Sequence, residues 1–192
     1  MTPRLRKYLA VSLPPVAIGS LFGTLIPANS SAHLTWYCDA VDADPEPDKV
    51  VWETGGTWAS QYDFSRDWAN NKWDVHQAVD VFHDNWLNNV NVSWWTMNEN
   101  STTTGRYTCS FPVTFIDLNR TMLDPLLGTS SGQDKIRKVA AHELGHGMDM
   151  DHHDGAGDIM KQGLFAVTGV TGLTHCEFHE RWGFDDGHCQ GK

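Results

Sequence analysis

His142-Glu143-Leu144-Gly145-His146, continued by Gly147-Met148-Asp149-Met150-Asp151-His152 and then by Asp158-Ile159-Met160, decides how the chain reads. On a helix, positions i and i+4 stand one above the other on one face, so the imidazoles of His142 and His146 can reach a single ion. Zinc binds imidazole nitrogen at about 2.0–2.1 Å, and a catalytic site uses three protein ligands so that water can hold the fourth position. His152 is the natural third ligand. Glu143 stands beside the metal and is free to act as a base. The competing reading is a surface helix with solvated histidines, and a third histidine in register weighs against it.

The spacing resembles that of the metzincin zinc peptidases, H-E-x-x-H-x-x-G-x-x-H closed by a downstream methionine turn. His142, His146 and His152 match the register, and Met160 stands where a short-linked, matrixin-like member places its turn. Two positions depart from the pattern. Asp149 replaces the glycine at which the family turns off the helix with positive φ, and aspartate tolerates that conformation better than most residues. Lys161 and Gln162 follow Met160, where many metzincins carry a tyrosine two residues on. The resemblance covers residues 131–162 closely and the rest in outline.

What it implies is an α+β fold: a twisted mixed sheet with two long helices and a small C-terminal subdomain across the zinc cleft. It further implies a secreted zinc-dependent metalloendopeptidase that hydrolyses peptide bonds with metal-activated water and Glu143 as general base. Its partner would be a protein or peptide substrate, its cofactor one catalytic zinc ion, and Met160 would form a hydrophobic floor under the histidines. In the family an edge strand above the zinc accepts the substrate backbone, which by position falls within 108–115. Leu164, Phe165 and Val167, after the methionine, would make the adjoining pocket apolar.

Other readings use some of the same residues. His153 could replace His152 after a one-residue slip, and Glu177 or Glu180 could complete a gluzincin-type site. Asp149, Asp151, Asp154 and Asp158 could bind a calcium ion, but a role for Asp154 or Asp158 in orienting an imidazole is favoured. The nine tryptophans suggest a secreted carbohydrate-binding module, although Trp86 and Trp94 fall on faces expected to be buried. An inactive, structural zinc domain is a third possibility, against which the intact Glu143 counts.

Composition sets the context. The 192 residues suit one domain. Arg4, Arg6 and Lys7 precede a largely apolar run from Leu9 to Ile26, and Ser30-Ser31-Ala32 offers small residues for cleavage, so residues 1–32 read as a signal peptide and 33–192 as the catalytic domain. Pro14-Pro15 interrupts the run and argues against a membrane anchor. Losing three basic residues takes the formal charge from −10 to −13, which makes nucleic acid an unfavourable partner. A monomer is expected. Cys38, Cys109, Cys176 and Cys189 suit two disulfides in an oxidising compartment, with Cys38–Cys109 and Cys176–Cys189 the favoured pairing of three.

Periodicity supplies the remaining elements. Val50-Val51-Trp52 reads as a short strand. Val75, Val79, Phe82 and Trp86 recur at helical steps, which predicts a helix over 67–88. Val90 to Thr96 alternates as a strand, Asn98 to Gly105 is a polar turn, and Tyr107 to Cys109 with Val113 to Leu118 gives further strands. Ser130 or Ser131 would cap the helix that carries the histidines, with Val139, Ala140 and Leu144 on its buried side. A last helix is expected over 175–182, capped by Thr174 and Glu177.

Overall fold

The structure is a computed structural model that describes residues 49–74, 79–84, 90–110, 113–167, 169–170 and 172–182. The expected signal peptide and the residues Cys38, Val75, Trp86 and Cys189 lie outside them. The fold is α+β, with a five-stranded mixed sheet and four α-helices among the described residues. No helix among them is long and apolar enough to cross a membrane.

Strand β1 (Lys49–Thr54) buries Val50 and Val51 on opposite faces, the pattern of a strand covered on both sides. Helix α1 (Asp63–Asp74) follows and leads to β2 (Asp80–His83), which pairs parallel to β1. Parallel neighbours need such a crossover, because a tight turn cannot reverse the chain twice. Strand β3 (Val92–Met97) lies parallel to β1 on its other side, and β5 (Thr114–Asn119) lies parallel to β3. Strand β4 (Gly105–Thr108) is antiparallel to β5 and forms an edge, giving the order β2-β1-β3-β5-β4. A short helix α2 (Arg120–Leu123), with the Asn119 side chain accepting from the Thr121 N–H, connects the sheet to the long helix α3 (Ser130–Gly147). Helix α4 (Gly172–Arg181) closes the described chain.

Three details differ from expectation. The helix predicted over 67–88 ends at Asp74, and Asp80–His83 is strand instead. A short apolar run satisfies helical and strand periods alike; the free edge of β1 decides between them. The Asp74 carboxylate accepts from the Val81 N–H at 2.9 Å and ties the helix end to the new strand. Helix α3 is capped by Thr129, whose hydroxyl accepts from the Gly132 N–H at 3.1 Å, rather than by Ser130 or Ser131. Helix α4 begins at Gly172, so Thr174 lies inside it; its buried hydroxyl donates to Asp158.

The core lies between the sheet and α1 with α3. Trp94, Ile116 and Leu118 from the sheet, Trp73 from α1, and Ile136, Val139, Ala140 and Leu144 from α3 are all buried in one cluster. The Trp73 indole N–H donates to the Ala141 carbonyl at 2.9 Å, which satisfies the polar atom of a fully buried side chain and fixes α1 against α3. That contact falls one residue before His142, so core packing positions the helix face that carries the candidate ligands.

Candidate metal centre

Helix α3 delivers His142 and His146 from its C-terminal half, as the i, i+4 spacing requires. The helix then stops. The Met148 N–H bonds back to Leu144 and Gly145, and Asp149 follows with φ of 58°. This is the left-handed conformation expected at the position where aspartate stands in for glycine. Arg181 on α4 donates to the Asp149 carboxylate, so the turn is also held from outside. The chain then brings His152 back to the helix face.

The three Nε2 atoms converge. His142 and His146 are 3.2 Å apart at Nε2, His142 and His152 3.2 Å, and His146 and His152 3.0 Å. Zinc bound tetrahedrally at about 2.0–2.1 Å would set nitrogens about 3.3–3.4 Å apart, so the triangle has nearly the size that the ion requires. The outer nitrogens are also occupied. His142 Nδ1 lies 2.9 Å from the Ile159 carbonyl, and His146 Nδ1 2.9 Å from the Met150 carbonyl. A carbonyl only accepts, so both rings carry their proton on Nδ1 and present bare lone pairs inwards. Lone pairs facing one another at this distance repel unless a cation lies among them. The donor set and its protonation therefore fit a divalent metal, and these are the residues that could hold it.

Burial acts in the same direction. It pushes His142 down to about 3 and His146 down to about 4, with Lys138 and neighbouring imidazoles adding to the shift, so both rings stay neutral near pH 7. His152 is also shifted down, first by burial and then by Lys138. Glu143 is pushed up to about 7 by burial, against a hydrogen bond from the Tyr107 backbone and the charge of Lys138. A carboxyl group near 7 can both take and return a proton at neutral pH. Edge strand β4 lies directly on it: a Cβ at Gly105 would come within 2.8 Å of the Glu143 carboxylate.

Met160 is fully buried, with its sulfur packed so closely on Gly145 that a Cβ there would overlap it. The Asp158 carboxylate accepts from the Met160 N–H at 2.7 Å and from the Thr174 hydroxyl, so this turn is fixed to α4. His153 does not join the triangle; its side chain lies 2.5 Å from Glu177, and its N–H donates to the Met160 carbonyl. Glu177, on α4, correspondingly faces His153 and Arg181 rather than the ligands. Cys109 and Cys176 are both disulfide-bonded, while the expected pairing with Cys38 and Cys189 falls outside the described residues. The edge strand is β4, at Gly105–Thr108, and not the whole of 108–115; Phe115 belongs to β5, inside the sheet.

Sequence reasoning missed Lys138, Tyr107 and the contact of Gln162 with His152. Lys138 is four residues before His142 on the same helix face, a signal that was available. It is buried, donates to the Lys161 carbonyl and, at 3.1 Å, to the Gly163 carbonyl, and lies over the Phe165 ring at 4.7 Å. Burial lowers it to about 8. Tyr107 had no such signal, because its bond to Glu143 depends on which strand ends at the sheet edge.

No family model and no curated protein matches the chain. Among solved structures it is similar to the "GM1 bound form of the ECX AB5 holotoxin", at 14% identity and a TM-score of 0.45, over 60% of this chain. The chain spans 65% of the length of that matched chain. The expectation of a secreted endopeptidase hydrolysing peptide bonds is corrected against this finding: the matched structure is a GM1-bound toxin, and no comparison names a peptidase. At that TM-score the likeness assigns neither a shared fold nor a glycan ligand to this chain.

Proposed function

We propose that the chain is a zinc-dependent hydrolase in which His142, His146 and His152 hold the metal and Glu143 moves the proton. One observation carries the reading. Three imidazole nitrogens meet within 3.0–3.2 Å while the outer nitrogens of His142 and His146 are engaged by carbonyl oxygens. When bound, zinc supplies Lewis acidity, lowering the pKa of water and drawing charge from the substrate's electrophilic centre. Glu143 takes a proton from the attacking water and returns it to the leaving group, for which its raised proton affinity suits it. The Tyr107 N–H orients the carboxyl, and Asp149 sets the bend that returns His152 to the helix.

The metzincin resemblance enters this proposal at the level of the metal centre: a two-ligand helix, a left-handed turn, a third histidine and a buried methionine packed on the helix. A twisted sheet with two long helices and a C-terminal helix across the cleft belongs to the same proposal. Disulfides at Cys109 and Cys176 support an oxidising, extracellular compartment.

Metal analysis of the purified chain, with a panel of chromogenic esters, amides and glycosides assayed with and without chelator, tests the reading. One zinc per chain and hydrolysis that chelation abolishes and zinc restores are expected. Glu143→Gln should keep the metal and lose about 10²- to 10⁴-fold in turnover. Zinc stoichiometry that is unchanged in His142→Ala would overturn the assignment of the site.

A second reading, a carbohydrate-binding module, has separate support. Arg66 lies over the rings of Trp52 and Trp58, at 4.7 and 5.5 Å, in a half-buried aromatic group that His83 extends. Retention on immobilised glycans that survives chelation would move the function from the histidines to these rings.

A further inference from the structure

Each ligand ring needs an outer partner to fix its tautomer and orientation, and for His142 and His146 these are the backbone carbonyls of Ile159 and Met150. His152 has a side chain instead. The Gln162 amide nitrogen lies 3.1 Å from His152 Nδ1, and a half-turn of the carboxamide puts its oxygen in the same place. We propose that Gln162 is a positioning residue for the third metal ligand, its amide oxygen accepting from the His152 Nδ1–H so that Nε2 faces the ion. This rests on the metal-centre reading above and adds a partner that it does not contain.

The chemistry selects the oxygen. A neutral imidazole that binds metal through Nε2 carries its proton on Nδ1, so its partner there must accept. A carboxamide offers oxygen or nitrogen in the same space after a half-turn about its last bond, and only the oxygen is compatible with a ligating ring. The segment is also held for this purpose. Lys138 donates to the carbonyls of Lys161 and Gly163, the residues on either side of Gln162, and thus fixes the backbone from which the amide reaches out. His152 and Gln162 are both exposed, whereas His142 is buried. The third ring therefore lacks the packing that orients the first and depends more on its hydrogen bond.

The test uses the full chain as wild type, Gln162→Leu and Gln162→Glu, with zinc affinity read by chelator competition and ligand geometry by the visible spectrum of the Co²⁺-substituted protein. Gln162→Leu is expected to weaken zinc binding by about 10-fold or more and to alter the Co²⁺ bands. Gln162→Glu keeps an acceptor and should hold zinc at least as tightly as wild type. Equal affinity in Gln162→Leu and wild type, or equal weakening in both variants, would overturn the proposal, the second result pointing to packing alone. The Lys138→Met and Gln162→Leu changes should be less than additive when combined, and full additivity would remove Lys138 from the scheme. A wild type that takes up no zinc sinks the metal-centre reading itself, an outcome distinct from wild-type binding that is indifferent to residue 162.

Discussion

Asp149 shows how much one backbone angle can carry. With φ of 58° it ends α3 and starts the return of the chain to His152, and its carboxylate receives Arg181 from α4. The two roles separate by substitution. Asp149→Ala should cost about 1–2 kcal/mol, combining a left-handed conformation that alanine resists with the loss of a half-exposed ion pair. Asp149→Gly removes the pair but fits the backbone, and should cost under about 1 kcal/mol. Urea unfolding of both variants checks this; equal losses would show that the ion pair, not the angle, is what matters. Sequence reading reached this residue because the ligand register fixed where the turn had to fall. Lys138 escaped it, since a lysine on a helix is ordinarily a solvated one.

Among the elements, α3 does most to shape the site, and it is crowded where it matters. At Gly145, between the two helix ligands, a Cβ would overlap the Met160 sulfur and come within 2.8 Å of the Trp73 ring. Both neighbours are fully buried and have no open space to move into. Gly145→Ala is expected to lose about 1–3 kcal/mol to overpacking, more than the up to about 1 kcal/mol of helix propensity it gains. Thermal unfolding together with zinc titration checks it, with both midpoint and affinity expected to fall. Helix α3 was legible because its ligands and apolar face repeat at one local period, although its cap is Thr129 and not one of the serines expected. Strand β2 was not, because only its partner β1, some thirty residues upstream in sequence, distinguishes it from more of α1.

At the scale of the molecule, pH response follows from buried hydrogen-bonded groups far from the histidines. Tyr62 is fully buried and donates to the Asp124 carboxylate at 2.5 Å, and burial, followed by that bond and the Asp124 charge, raises its pKa. A raised folded-state pKa means that the folded chain holds the proton more tightly. The stabilisation is present in full below about pH 10, the unfolded value, and is lost as pH rises towards the folded one. Tyr62→Phe should cost about 1–3 kcal/mol at pH 7 and flatten the loss of stability above pH 10, as urea midpoints at several pH values would record. The parallel order of β2, β1, β3 and β5 was likewise beyond sequence reading, which found most of the strands but not their neighbours.

The groups that hold the histidines all come from one continuous run of chain, from Lys138 to Gly163, whereas Glu143 takes its hydrogen bond from Tyr107 on a distant strand. The direct partners of the ligand rings are thus local in sequence, while that of the proton carrier is distant. Mild denaturant that frays the sheet margin first will decouple ion capture from proton transfer, leaving a chain that still sequesters its ion after turnover has ceased.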